Sequence, residues 1–169
     1  LERTESFFWW FCDDHVELVK GRAYGNEDTA GSDSARAALE EALGVLLRLL
    51  APILPYATEE AWSWWREGSI HRAPWPDPTE VVMDAGDGDP LVIEVASAVL
   101  SEVRKAKTEA GVSLRADVES VVVRDTPERL AALTLAADDV QNAAKAASVS
   151  TEEDDTFSVS VVLAPAAEG

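Results

Sequence analysis

The sequence contains a single cysteine, Cys12, which excludes an internal disulfide and any zinc site built from several thiolates. That usage fits a reducing compartment. Basic residues are scarce: 14 Lys plus Arg stand against 32 Asp plus Glu, so the formal charge is 14 − 32 = −18, with a pI near 4.3. Such a balance is not that of a cationic nucleic-acid-binding module, although a summed field says little about one patch. No apolar run approaches the roughly 20 residues of a membrane span. The start, Leu1-Glu2-Arg3-Thr4-Glu5, has neither an initiator Met nor a cationic leader. The expectation is a cytoplasmic protein without membrane contact, excised from a longer polypeptide. There is no glycine-rich phosphate loop and no G-x-S-x-G elbow, and neither of the two His falls in an H-E-x-x-H spacing.

What is present is a 169-residue chain, 47% hydrophobic and 27% charged, enough to bury a core. Residues 1–78 hold all six Trp, both Tyr and three of the four Phe, whereas 79–169 are rich in Val and Ala. This break predicts an α+β chain: a helical bundle over 1–78, a Gly, Pro and Asp-rich linker over 79–89, and a small α-β-α-β-β subdomain over 90–169.

Periodicity predicts one helix over about 4–23, with an apolar arc of roughly 200° running through Phe7, Phe11, Val16 and Leu18. A surface helix needs an arc only a little above 100°, so some packing partners are expected to lie outside the chain and the bundle to be truncated. A loop around Gly21, Gly25 and Gly31 follows. A second helix is predicted over 34–50, capped within 32–34. Pro52 and Pro55 break the chain, a third helix covers 56–67 with Glu59 and Glu60 in its first turn, and 69–76 lie extended. Asp89-Pro90 opens a helix that ends near Gly111. A strand over 118–124, a helix from Pro127, a further helix over 138–146, and a hairpin of 148–150 with 156–163 complete the pattern.

Candidate binding residues are few. Trp10 sits among Asp13, Asp14, Glu17 and Lys20, where it can stack a base or meet the rest of a larger protein. Lys20, Arg22, Arg48 and Arg66 belong to the bundle, and Arg48, with no acid at i±3 or i±4, is expected to be free for a phosphate. Trp62 and Arg66 are i, i+4 neighbours suited to a cation–π pair. Arg104, Lys105 and Lys107 crowd one helix end, explained equally by dipole complementarity and by a ligand. His15 and Cys12 read as packing residues, His71 as structural beside Arg72, and Asp84, Asp87 and Asp89 as a solvated turn without calcium-loop spacing.

Three segments resemble the anticodon-binding region of class I aminoacyl-tRNA synthetases: F-F-W-W-F-C-D-D-H-V-E-L-V-K over 7–20, L-A-P-I-L-P-Y-A-T-E-E-A-W over 50–62, and S-I-H over 69–71 with Trp75-Pro76. The L-x-P-x-x-P-x-x-T-E-E-x-W and S-I-H pieces are shared by the valyl, isoleucyl and leucyl branch. The F-C-D-D-x-x-E-L-x-K helix is similar to the bacterial valyl family in particular. Residues 102–107 leading into 118–123 are similar to that family's segment after the bundle. His15 departs from the pattern, since an aromatic usually stands there.

The resemblance implies a C-terminal portion of a synthetase that activates valine with ATP. The H-I-G-H and K-M-S-K-S signatures are absent, so the chain alone is expected to be non-catalytic, to hold no cofactor, and to behave as a monomer. Its implied partners are tRNA(Val) and the rest of the synthetase polypeptide, with Trp10, Lys20, Arg22, Arg48, Arg66 and Arg72 as RNA-contact candidates. Many valyl enzymes also end in a basic antiparallel coiled coil that touches the tRNA, whereas the residues Ala164-Pro165-Ala166-Ala167-Glu168-Gly169 here carry no heptads. The alternative reading is an acidic helical protein-interaction module that keeps the fold without binding RNA.

Overall fold

The computed structural model describes residues 1–25, 29–85 and 88–165, the side chains of 82–85 aside. Helix α1 (Glu2–Trp10) passes into one π-helical turn (Phe11–His15) and leaves it as α2 (Val16–Ala23). The extra residue of a π-turn rotates everything after it relative to an unbroken helix. The single broad stripe expected over 4–23 is therefore divided: α1 buries no residue, whereas α2 buries Leu18, Val19 and Ala23. The chain forms two compact units, Leu1–Cys12 with Gly25–Gly88, and Asp13–Tyr24 with Asp89–Gly169. Residues 13–23, read from sequence as part of the Trp-rich half, thus belong to the second unit.

In the first unit, α3 (Ala30–Leu50) starts four residues before the predicted helix. Its cap is Thr29, whose Oγ1 accepts from the Ser32 amide at 3.1 Å while Ser32 Oγ accepts from the Thr29 amide at 2.9 Å. This reciprocal capping box draws Gly31, expected in a loop, into the helix; Gly21 likewise lies within α2. Helix α4 (Pro55–Ser63) has Pro at its first turn and stops short of the expected residue 67. A 3-10 turn (Ile70–Arg72) interrupts the segment expected to be extended.

Helix α5 (Pro78–Ala85) occupies most of the expected linker. Asp77 starts it, accepting from the Thr79 amide at 2.8 Å and from its hydroxyl at 2.6 Å, with Pro78 next in line. These bonds hold the Asp77 carboxyl below its ordinary range, the hydroxyl contributing most. Of the proposed acidic turn, Asp87 lies outside the described residues. Among those described, no group of three metal-ligating side chains exists, and no helix is long and apolar enough to cross a membrane.

The second unit is built on α6 (Pro90–Glu109), capped by Asp89 through the Leu91 amide at 2.9 Å. Its Val95, Val99 and Val103 are wholly buried. Gly111 follows at φ +68, the left-handed region that closes a helix most easily with glycine. Then come β1 (Val118–Asp125), α7 (Pro127–Leu135), α8 (Ala137–Ala144), β2 (Ala146–Glu153) and β3 (Ser158–Leu163). The predicted hairpin of the last two strands does not form: the order is β2-β1-β3, with β1 parallel to β2 and antiparallel to β3. Alternation in β3 marks one covered face but does not choose a neighbour. The centre goes to β1, whose Val118, Val121 and Val123 are buried, whereas β3 buries no residue.

Candidate nucleic-acid interface

The residues singled out from sequence fall into both units: Trp10, Arg48, Arg66 and Arg72 in the first, Lys20 and Arg22 in the second. In the first unit Arg48 is not free. Its Nη2 donates to Glu80 Oε2 at 2.7 Å and Nη1 to Oε1 at 3.3 Å, and Nε donates to the Gly44 carbonyl at 3.1 Å. Only 12% of its side chain is exposed. The missing i±4 acid is replaced by one arriving from 32 residues away on α5, the element that sequence did not foresee. Arg48 in turn pulls the Glu80 carboxyl below its ordinary range, chiefly by direct hydrogen bonding.

Arg66 lies over Trp65, 4.5 Å from the ring centroid, not over Trp62 as i, i+4 spacing suggested, because α4 has ended at Ser63. It also meets Glu40 at 3.2 Å, with both side chains about half exposed. Trp10 is 37% exposed, its ring 5.6 Å from Phe7. Arg72 is exposed at the end of the 3-10 turn and, among the described residues, has no carboxylate partner.

That turn is pinned to α4. Glu59 Oε2 accepts from Ser69 Oγ and from the Ile70 amide, both at 2.9 Å. His71 Nε2 lies 3.2 Å from the Pro55 carbonyl, and Ser69 Oγ accepts from the His71 amide at 3.3 Å. Ile70 beneath is 3% exposed, and buried Thr58 donates to the Leu54 carbonyl at 2.8 Å. The T-E-E and S-I-H words, separate in the sequence, are two halves of one clamp. Glu59 lies beyond the first turn of α4 and serves as an acceptor for the turn, a role that dipole reasoning missed. The exposed aromatics Tyr56, Trp64 and Trp75 flank these segments.

Also in the first unit, a groove of about 730 Å³ is lined by Phe7, Ala38, Glu41, Ala42, Val45 and Val81, among others. Among the described residues its lining includes no Lys, Arg or His, which does not suit phosphate. Glu41 Oε1 is buried there without a hydrogen-bond partner.

In the second unit Lys20 pairs with Glu17, and Arg22 Nε donates to Asp139 Oδ1 at 2.8 Å. His15 is held neutral more readily than a free histidine, first by burial and then by Arg22, with Asp139 opposing. The cluster on α6 is a set of internal ties. Arg104 Nη1 donates to Asp14 at 2.7 Å and Nη2 to the carbonyl of Asp13. Lys105 pairs with Glu102 at 3.5 Å. Lys107, 2% exposed, donates to the carbonyls of Ala144 at 2.9 Å and Leu114 at 3.1 Å.

A model of the family described as the anticodon-binding domain of tRNA ligase matches residues 1–123. Valine–tRNA ligases are similar over most of the chain. That of Thermobifida fusca is 51% identical over 168 residues, 98% of this chain and 19% of that protein. That of Salinispora arenicola is 49% identical over 170 residues, 92% of this chain and 20% of that protein. That of Leifsonia xyli is 49% identical over 142 residues, 84% of this chain and 16% of that protein. The chain therefore spans about one-fifth of the length of the first two relatives. With that family matched over more than half the sequence, the chain belongs to the anticodon-binding domain family of tRNA ligases.

Proposed function

We propose that this chain holds the anticodon arm of tRNA(Val) for a valine–tRNA ligase. The observation that carries the reading is the 51% identity to such a ligase over 98% of the chain. On this reading the first unit, Leu1–Cys12 with Gly25–Gly88, supplies the gripping surface. Valine and ATP are handled elsewhere in the synthetase polypeptide, in keeping with the absence here of H-I-G-H and K-M-S-K-S. Nothing in the comparisons favours the alternative of an acidic interaction module.

The ion pairs rank the candidate cations. Exposed pairs contribute at most about 1 kcal/mol, so Lys20 and Arg66 can exchange their carboxylates for phosphate at little cost. Arg48, nearly buried and held at all three guanidinium nitrogens, is a support for the fold. Arg72 needs no such exchange. Loop bases are recognised by stacking and edge contacts and the stem by charge; Trp10 and Arg66 suit the first role.

The test is filter binding of tRNA(Val) and an unrelated tRNA across a salt series. Preferential, salt-sensitive binding of tRNA(Val) is expected. Equal and negligible affinity for both RNAs overturns the reading.

A further inference from the structure

We infer that the clamped turn at residues 69–72 is a preformed site for one unstacked base and its phosphate, with Arg72 as the phosphate contact, Tyr56 and Trp75 as stacking surfaces, and Glu59 as the positioning residue. The inference rests on the tRNA-binding reading and specifies where in the first unit the contact is made.

The argument starts with what a rigid single-stranded RNA site requires: an exposed cation not already neutralised, aromatic faces open to solvent, and a backbone that does not have to be ordered on binding. Among the basic residues of the first unit, Arg36, Arg48 and Arg66 already have carboxylate partners. Arg72 and Arg3 are without one among the described residues. Arg3 stands on α1, which buries nothing. Arg72 stands on a turn that three hydrogen bonds and a buried Ile70 hold in place.

The aromatics complete the pattern. Tyr56 is 90% exposed and Trp75 62% exposed, well above what a stable core leaves open. The His71 ring lies 3.2 Å from the Pro55 carbonyl, which ties the residue before Tyr56 to the residue before Arg72. Trp75 follows three residues later, between Pro74 and Pro76, whose fixed φ limits how far it can swing. The Pro74 carbonyl lies 3.5 Å from Arg48 Nη1. Both aromatics are therefore anchored through the backbone while their rings remain open.

Glu59 sets the direction of Arg72 without touching RNA. Its single Oε2 takes both the Ser69 hydroxyl and the Ile70 amide, the two groups that define the entry to the turn. Removing the carboxylate leaves the Ile70 amide without its acceptor and lets the turn move, so Arg72 loses its fixed position.

The experiment is a double-mutant cycle on the full chain, read by tRNA(Val) binding across a salt series at a temperature where circular dichroism shows every variant folded. Expected are a reduction of the logarithmic salt slope by about one in Arg72→Ala, and a loss of about 5- to 100-fold in Tyr56→Ala or Trp75→Ala with the slope unchanged. Glu59→Ala should match Arg72→Ala in slope, the double variant should show no further slope change, and Glu59→Gln, which keeps an acceptor oxygen, should restore most of the affinity. Wild-type slope in Arg72→Ala, or full additivity of Glu59→Ala and Arg72→Ala, overturns the site while tRNA binding by the unaltered chain leaves the broader reading standing. No binding by the unaltered chain overturns both.

Discussion

Arg48 on α3 and Glu80 on α5 face each other through two hydrogen bonds, Nη2 to Oε2 at 2.7 Å and Nη1 to Oε1 at 3.3 Å, although 32 residues separate them. A bidentate guanidinium–carboxylate contact fixes both direction and distance, and this one fastens an element that composition read as linker. Arg48 therefore acts as a staple.

Arg48→Ala should lower the melting temperature by roughly 3–6 °C and leave the salt slope of tRNA binding unchanged. The acid limb adds a second reading. A carboxyl whose folded value is depressed contributes stability above its unfolded value, near 4.5, which is lost as pH falls through the folded value. Urea titrations below that pH should show a shallower decline for Arg48→Ala than for the unaltered chain. A slope change in tRNA binding without a thermal effect would restore Arg48 to the RNA surface.

The burial of His15 gives a separate pH signature. Desolvation is the leading cause of its lowered value, Arg22 adds to it, and Asp139 works against both. In the window below the unfolded value of 6.5 the unfolded chain binds the proton and the folded one does not, so stability falls with falling pH until the folded value is passed. The slope of this one group is at most about 1.4 kcal/mol per pH unit. His15→Gln, which cannot titrate, should flatten stability in the window just below pH 6.5 in chemical denaturation. An unchanged slope in that variant would refute the assignment.

Local sequence chemistry made much of this fold readable. The Asp89-Pro90 start, the Gly111 stop, the Pro52 and Pro55 break, and the Val-rich β1 depend on neighbours within a few residues, and they appear where propensity and periodicity put them. What could not be read depends on distant groups or on added residues. The π-turn at 11–15 changes phase without a residue type that announces it. The partner of Arg48 comes from α5, and that of Arg66 from Trp65 once α4 ends early. Pairing of β3 with β1 rather than β2 is decided by which strand fills the centre of the sheet. The S-I-H and T-E-E words were visible as motifs, but the bond from Glu59 to Ser69 that gives them a common purpose was not.

Lys107 tests how a buried cation is held. Its ammonium replaces water with the carbonyls of Ala144, at the end of α8, and Leu114. Lys107→Met keeps the length and removes the donor, stranding both carbonyls, and should cost about 1–3 kcal/mol. Burial first, then the charge of Lys145, lowers the Lys107 value. Between that lowered value and the unfolded 10.5 the unfolded chain holds the proton more tightly, so stability should rise with pH in this alkaline window. Methionine should abolish that rise; an equal rise in both proteins would show that another group is responsible.

Lys145 itself caps α8 in the left-handed region, at φ 53 and ψ 43, where a side chain other than glycine's is crowded by its own backbone. Exposed and without a carboxylate partner among the described residues, it gains little from its charge, which instead opposes that of Lys107. Lys145→Gly should stabilise the chain by about 1 kcal/mol through relief of the backbone, whereas Lys145→Ala keeps the Cβ and should recover only the smaller electrostatic part. Both substitutions should also raise the Lys107 value, narrowing the alkaline window in which stability climbs. Equal gains from alanine and glycine would show that charge, and not the left-handed backbone, is what Lys145 costs the fold.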